Sequence, residues 1–238
     1  MKSDNALNEI INKVDFLAFG ETEHGTHELA LDEILKEIDR FKRVFLEIPV
    51  NLQESVDLFL ESNKVNDNLS DFLKGAQEEG KDVGKTLFLI LKICRKTKKP
   101  VFCVDSSKVK TALYNKKSKH GFYFLSGESR EEDMFNNIKK ILENFKGKSF
   151  LLSGSVHIKY GINSVDNQKT LGQRLKEFLG ARFYNVCLWR ISGFRSCQFF
   201  DTHDAVSNRE LDKLLRKQEY SNLNENNQRY FDGYLVHC

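Results

Sequence analysis

Proline is almost missing from this 238-residue chain: it occurs twice, at Pro49 and Pro100. Gly/Ser-rich and single-residue tracts are absent as well, and these scarcities exclude a linker-rich or disordered protein. No apolar stretch approaches the length of a membrane span. The opening MKSDNALNEIINKVDF also lacks the continuous apolar core of a secretion signal. Charge of one sign is not in excess: 37 basic and 34 acidic side chains leave a formal +3, too little to imply a nucleic-acid partner. The five cysteines are odd in number, scattered at 94, 103, 187, 197 and 238, and never spaced Cys-x-x-Cys. That pattern excludes a disulfide framework and a zinc knuckle, and it fits a reducing compartment. No Gly-x-Ser-x-Gly elbow occurs, which disfavours a serine α/β-hydrolase.

What is present is apolar material enough for a sizeable core, 40% of residues, beneath a surface supplied by 30% charged residues. We expect one domain over 1–238, soluble and cytoplasmic, with export as an effector by an unreadable signal as the alternative. The segments alternate in period. Residues 15–19 (DFLAF), 43–48 (RVFLEI), 101–105 (VFCVD), 182–189, 194–200 and 230–237 read as strands, and 149–158 (SFLLSGSVHI) as a buried strand running into a loop. Helical spacing marks 26–42, 51–62, 83–99, 130–146, 171–179 (closed by Gly180) and about 208–218. Residues 63–82, 106–129 and 160–169 read as loops. The alternation predicts an α/β layered domain with a largely parallel central sheet flanked by helices.

The most informative stretch is Gly20-Glu21-Thr22-Glu23-His24-Gly25-Thr26-His27-Glu28, where a strand ends and a helix begins. Open α/β sheets bind ligands at that edge. Glu21 is close enough in sequence to orient His24 and raise its basicity. Ser153-Gly154-Ser155-Val156-His157 repeats the device at another strand end. Glu47 sits inside an apolar strand and Asp105 ends one. A buried glutamate needs a partner, histidine or arginine. Taken singly, each is as well explained as a satisfied structural polar group; their convergence on one sheet edge favours a site. Gly75-Ala76-Gln77-Glu78-Glu79-Gly80-Lys81-Asp82 has P-loop glycine spacing, but Asp82 replaces the magnesium-holding hydroxyl and no buried strand precedes it.

The run LAFGETEHGTHE resembles the signature of the erythromycin esterase-like family, whose first strand ends in Gly-Glu-x-x-His-Gly. RVFLEIP, Arg130 and Met134 in SREEDMFNNI, FLLSGSVHI, TLGQRLKEFLG and FDGYLVH resemble later family segments in the same order. The resemblance implies Glu21 and His24 as a catalytic pair, with His24 the general base and Glu21 orienting it. It further implies His157 as second base or stabiliser of the tetrahedral intermediate, and Glu47 as the buried partner that fixes a histidine. Arg130 is then assigned to a substrate carboxylate or to neutralising Glu47, or else it pairs with Glu131–Asp133. His27 and Asp105 are assigned to substrate binding. The partner is a small molecule, and no cofactor or metal is required. The broader superfamily includes Tiki-type metalloproteases and haem-binding uptake proteins. In that alternative the two histidines, Glu21 and Glu47 hold a divalent ion. A third reading keeps the scaffold as a non-catalytic binding or effector domain. Family members are longer and carry an arginine in the first helix where this chain has Leu31, Asp32 and Glu33, so a macrolide is not the expected substrate. Oligomeric state is left open.

Overall fold

The computed structural model describes residues 3–22, 31, 34–78, 81–107, 130–162, 167–190, 197–216 and 229–237. In chain order the elements are α1 (Ser3–Lys13), β1 (Phe16–Glu21), β2 (Arg43–Pro49), α2 (Gln53–Ser62), α3 (Asp67–Gly75), β3 (Gln77–Glu78) and β4 (Lys81–Asp82). They continue as α4 (Val83–Lys96), β5 (Val101–Asp105), α5 (Arg130–Asn144), β6 (Ser149–Gly154), α6 (Ser155–Ile158), α7 (Leu171–Leu179), β7 (Phe183–Arg190), β8 (Gln198–Asp201), α8 (Ala205–Arg216) and β9 (Gly233–His237). The fold is α/β. Among the described residues seven strands form one mostly parallel sheet in the order β5-β2-β6-β1-β7-β9-β8, and β3 and β4 make a separate hairpin. Two compact units can be distinguished, Met1–Thr22 with Ser153–Cys238, and Glu23–Leu152.

In the first unit β1, β7 and β9 are parallel and β8 runs antiparallel to β9. Register sets Glu21 beside Leu188, and Leu188 beside Leu235. Leu17, Phe19, Val186, Leu188 and Val236 are fully buried, each side chain contributing about 1.5–3 kcal/mol. α1 lies in a stretch noted from the sequence only for what it lacked. Its Leu7, Ile10 and Ile11, followed by Val14, are buried at helical spacing. α7 follows its expected bounds: Thr170 caps it by accepting from Gln173 N, and Gly180 closes it with φ +60.

In the second unit β5, β2 and β6 are parallel, with Val44 beside both Val101 and Phe150. The expected loop 63–82 instead contains α3 and the hairpin. The physical reason is a cap and an apolar pair: the Asn66 side chain accepts from Leu69 N at 3.0 Å, and Leu69 and Phe72 are buried one turn apart. Gly84, beside the near P-loop, serves packing. A Cβ there would stand 1.8 Å from Leu73 O, so glycine lets α4 lie against α3. Of the predicted helix 26–42, the described part includes buried Leu31, Ile34 and Leu35 and a short 3-10 turn, Ile38–Arg40. Among the described residues no helix is long and apolar enough to cross a membrane.

Candidate functional site

In the first unit Glu21 closes β1 and is only 4% exposed. Gly20 explains how the strand end is packed. A Cβ on Gly20 would stand 2.7 Å from Ser155 Cα and from Ile158 Cγ1, so only glycine lets β1 meet α6 this closely. His157 belongs to α6, a single turn closed by Lys159 N donating to Ser155 O, and is itself 4% exposed. Asn185 Nδ2 donates to Ile158 O at 2.6 Å and anchors that turn to β7. On the far side of Glu21, Thr22 Oγ1 donates to Leu188 O at 2.9 Å. Glu21 and His157 are therefore held on two segments that pack against each other, both shielded from water. His24 and His27 lie outside the described residues.

One residue of this edge was missed. His237, the last residue of β9, is buried, with Arg190 as its register partner. Alternation along the strands puts Glu21, Arg190 and His237 on one face of the sheet. The available signal was the closing histidine of FDGYLVH, which read as strand and no more.

In the second unit three predicted residues meet. Arg130, first residue of α5, donates from Nε to Asp105 Oδ1 at 2.6 Å and from Nη2 to Asp105 Oδ2 at 2.7 Å. Nη2 also donates to Glu47 Oε1 at 2.6 Å. The side chains of Arg130, Asp105 and Glu47 are 8%, 3% and 11% exposed. Asp105 Oδ1 takes a further bond from Ser106 N at 2.8 Å, while Ser106 Oγ donates to Asp133 at 2.7 Å. Burial by itself lowers the pKa of the guanidinium. The opposing charges of Glu47 and Asp105 outweigh it and hold the group well above its ordinary value. Arg130 is thus a permanent cation compensated by carboxylates, and both oxygens of Asp105 are engaged in the network. Among the described residues no group of three or more His, Cys, Asp or Glu side chains is arranged to hold a metal ion.

No protein-family model and no curated protein sequence matches the chain. Solved structures do. A protein from Bacillus cereus aligns with TM-score 0.65 at 14% identity, covering 98% of this chain and 91% of its own. A mutant of the erythromycin esterase EreC in its open conformation aligns with TM-score 0.57 at 10% identity, over 82% of this chain and 74% of its own. A succinoglycan biosynthesis protein gives TM-score 0.57 at 12% identity, over 82% and 70%. At such identities the likeness is one of fold. It is the fold that the motif resemblance implied.

Proposed function

We propose that the protein is a hydrolase of ester or lactone bonds that activates water with the pair Glu21 and His24. The observation that carries this reading is the packing of the β1 end, at Gly20, against the His157 turn, with Glu21 the next residue along the strand. A carboxylate and an imidazole, each 4% exposed, stand at the ligand-binding edge of a mostly parallel sheet. The fold shared with an erythromycin esterase supports it further. His24 takes a proton from water as the water attacks the substrate carbonyl, and Glu21 fixes the tautomer and stabilises the imidazolium. His157 donates to the developing oxyanion or to the leaving oxygen. The substrate is small, and a macrolide is not expected.

A panel of small esters and lactones, assayed with wild type, Glu21→Gln, His24→Ala and His157→Ala, tests the scheme. The expected result is a fall in kcat of about 10²–10⁴-fold for each variant at unchanged melting temperature. Equal turnover in wild type and His24→Ala removes His24 from the mechanism.

A further inference from the structure

The first unit carries a second cluster at the other end of its strands, which the ester reading does not use. Asp232 immediately precedes β9, Tyr184 is near the start of β7, and Asp201 ends the antiparallel β8, so all three lie at the N-terminal edge of the parallel strands. Asp232 is buried, and among the described residues every group bonded to its carboxylate is a donor. Tyr160 Oη and Asn185 N reach Oδ2, and Lys176 Nζ lies 3.8 Å from it. His203 Nε2 stands 2.8 Å from Oδ1. A carboxylate only accepts, so Nε2 carries a hydrogen and Nδ1 is the variable position of the ring.

The Nδ1 side decides what the cluster does. Arg229 Nη1 lies 3.5 Å from His203 Nδ1. A guanidinium only donates, so neutral His203 accepts one long, weak bond there. Protonated His203 instead turns a second donor toward Arg229 with no acceptor between them among the described residues. The histidine side chain is 57% exposed, so an acceptor reaches this gap from solvent. We propose that His203 Nδ1 and Arg229 Nη1 are the two prongs of an oxyanion site, for the phosphate group of a small ligand, whose filling is coupled to proton uptake by His203.

The surroundings favour this coupling. The hydrogen bond to Asp232 raises the His203 pKa; partial burial opposes it, the charges of Asp232 and Asp201 reinforce it, and Arg229 works against it. Asp201 accepts from His203 N at 2.9 Å and from Tyr184 Oη at 3.0 Å. Burial and the neighbouring aspartates push the Tyr160 and Tyr184 hydroxyls up, so both remain neutral donors. Among the described residues, with His203 protonated, three cations (His203, Arg229, Lys176) face two carboxylates (Asp232, Asp201). The surplus is one positive charge, and a phosphate group bridging the two prongs meets it with charge-assisted bonds.

The test is an NMR titration of the His203 ring nitrogens in the full chain, with inorganic phosphate against chloride at matched ionic strength. Phosphate at about ten times its Kd is expected to raise the apparent His203 pKa by about one unit. Arg229→Gln abolishes that rise while the melting temperature holds. Arg229→Lys, which keeps the charge but loses the fork, retains part of it. Repeating the titration with a soluble phosphate monoester and with phosphatidate vesicles identifies the carrier of the group. A His203 pKa indifferent to phosphate, an equal rise in chloride, or a rise that survives Arg229→Gln overturns the proposal.

Discussion

Replacing Arg130 by methionine isolates the electrostatics of the second unit. The substitution leaves Asp105 and Glu47, 3% and 11% exposed, without the guanidinium that both carboxylates hold at 2.6 Å. Removing one partner of a buried ion pair costs about 3–5 kcal/mol, because the remaining charge stays desolvated. Stability of a domain this size is about 5–15 kcal/mol, so over most of that range the variant keeps a measurable folded baseline. The sign of the pH dependence gives the sharper test. Without the cation, burial pushes the two carboxyl groups above their usual range, and each takes up a proton in the folded state as pH falls. A raised folded pKa contributes stability at low pH and removes it at high pH. The deficit of Arg130→Met therefore shrinks by about 1–2 kcal/mol between about pH 7.5 and about pH 5. Urea unfolding followed by far-ultraviolet circular dichroism measures it. Combining Arg130→Met with Glu47→Gln and Asp105→Asn recovers most of the loss, since no buried charge remains. A deficit below about 1 kcal/mol, or one that does not narrow at the lower pH, refutes the reasoning.

Gly20→Ala forces a methyl to 2.7 Å from Ser155 Cα; a stability loss of about 1–3 kcal/mol is expected in the unfolding assay, and under the proposed function it is accompanied by a loss of turnover. Thr170→Ala removes the α7 cap and the hydroxyl bond to Lys159 O at 2.5 Å, and a loss of about 1–2 kcal/mol in the same unfolding assay is expected. The bond to Asp232 raises the His203 pKa. Its stabilisation is accordingly complete below about pH 6.5 and fades as pH rises through the elevated folded value. The melting-temperature gap between wild type and His203→Gln therefore narrows from acid to alkaline pH, and a widening gap contradicts the assignment. Burial pushes the Cys94 thiol up to about 12, and burial likewise raises Cys103 and Cys187. Among the described cysteines the half-exposed Cys197 should react first with a thiol reagent under native conditions.

Elements whose signal is local were legible in the sequence. Leu171–Leu179 and Val101–Asp105 have their expected bounds because a capping threonine and a proline punctuate runs of clear period. Residues 63–82 were misread because their polar majority hides Asn66 and the pair Leu69 and Phe72, whose burial comes from packing rather than composition. A similar division holds in the site. A charge inside RVFLEI announced that Glu47 needed a partner, and Arg130 supplies it. That Asp105 binds the same guanidinium from 25 positions away has no local spacing to reveal it. The Asp232 cluster draws on Tyr160, Lys176, Asn185, His203 and Arg229, segments that only the folded sheet assembles.

The saturation of Arg130 also bears on the choice of substrates. Nε and Nη2 already hold Asp105 in a fork, and Nη2 is shared with Glu47. A substrate carboxylate reaching this guanidinium has to displace a buried aspartate and leave it uncompensated. By the same arithmetic as in the methionine variant, that exchange costs about 3–5 kcal/mol, roughly a hundred-fold or more in affinity. The closed network therefore leaves Arg130 no ready valence for the substrate carboxylate that the motif resemblance assigned to it. Under the proposed hydrolase function, a free carboxylate on the substrate should bring no gain in KM over a matched uncharged ester. Placing a carboxylate at successive positions on one ester scaffold measures this directly. A scaffold on which the carboxylate lowers KM would require Arg130 to release Asp105, and would refute the closed network as the resting arrangement.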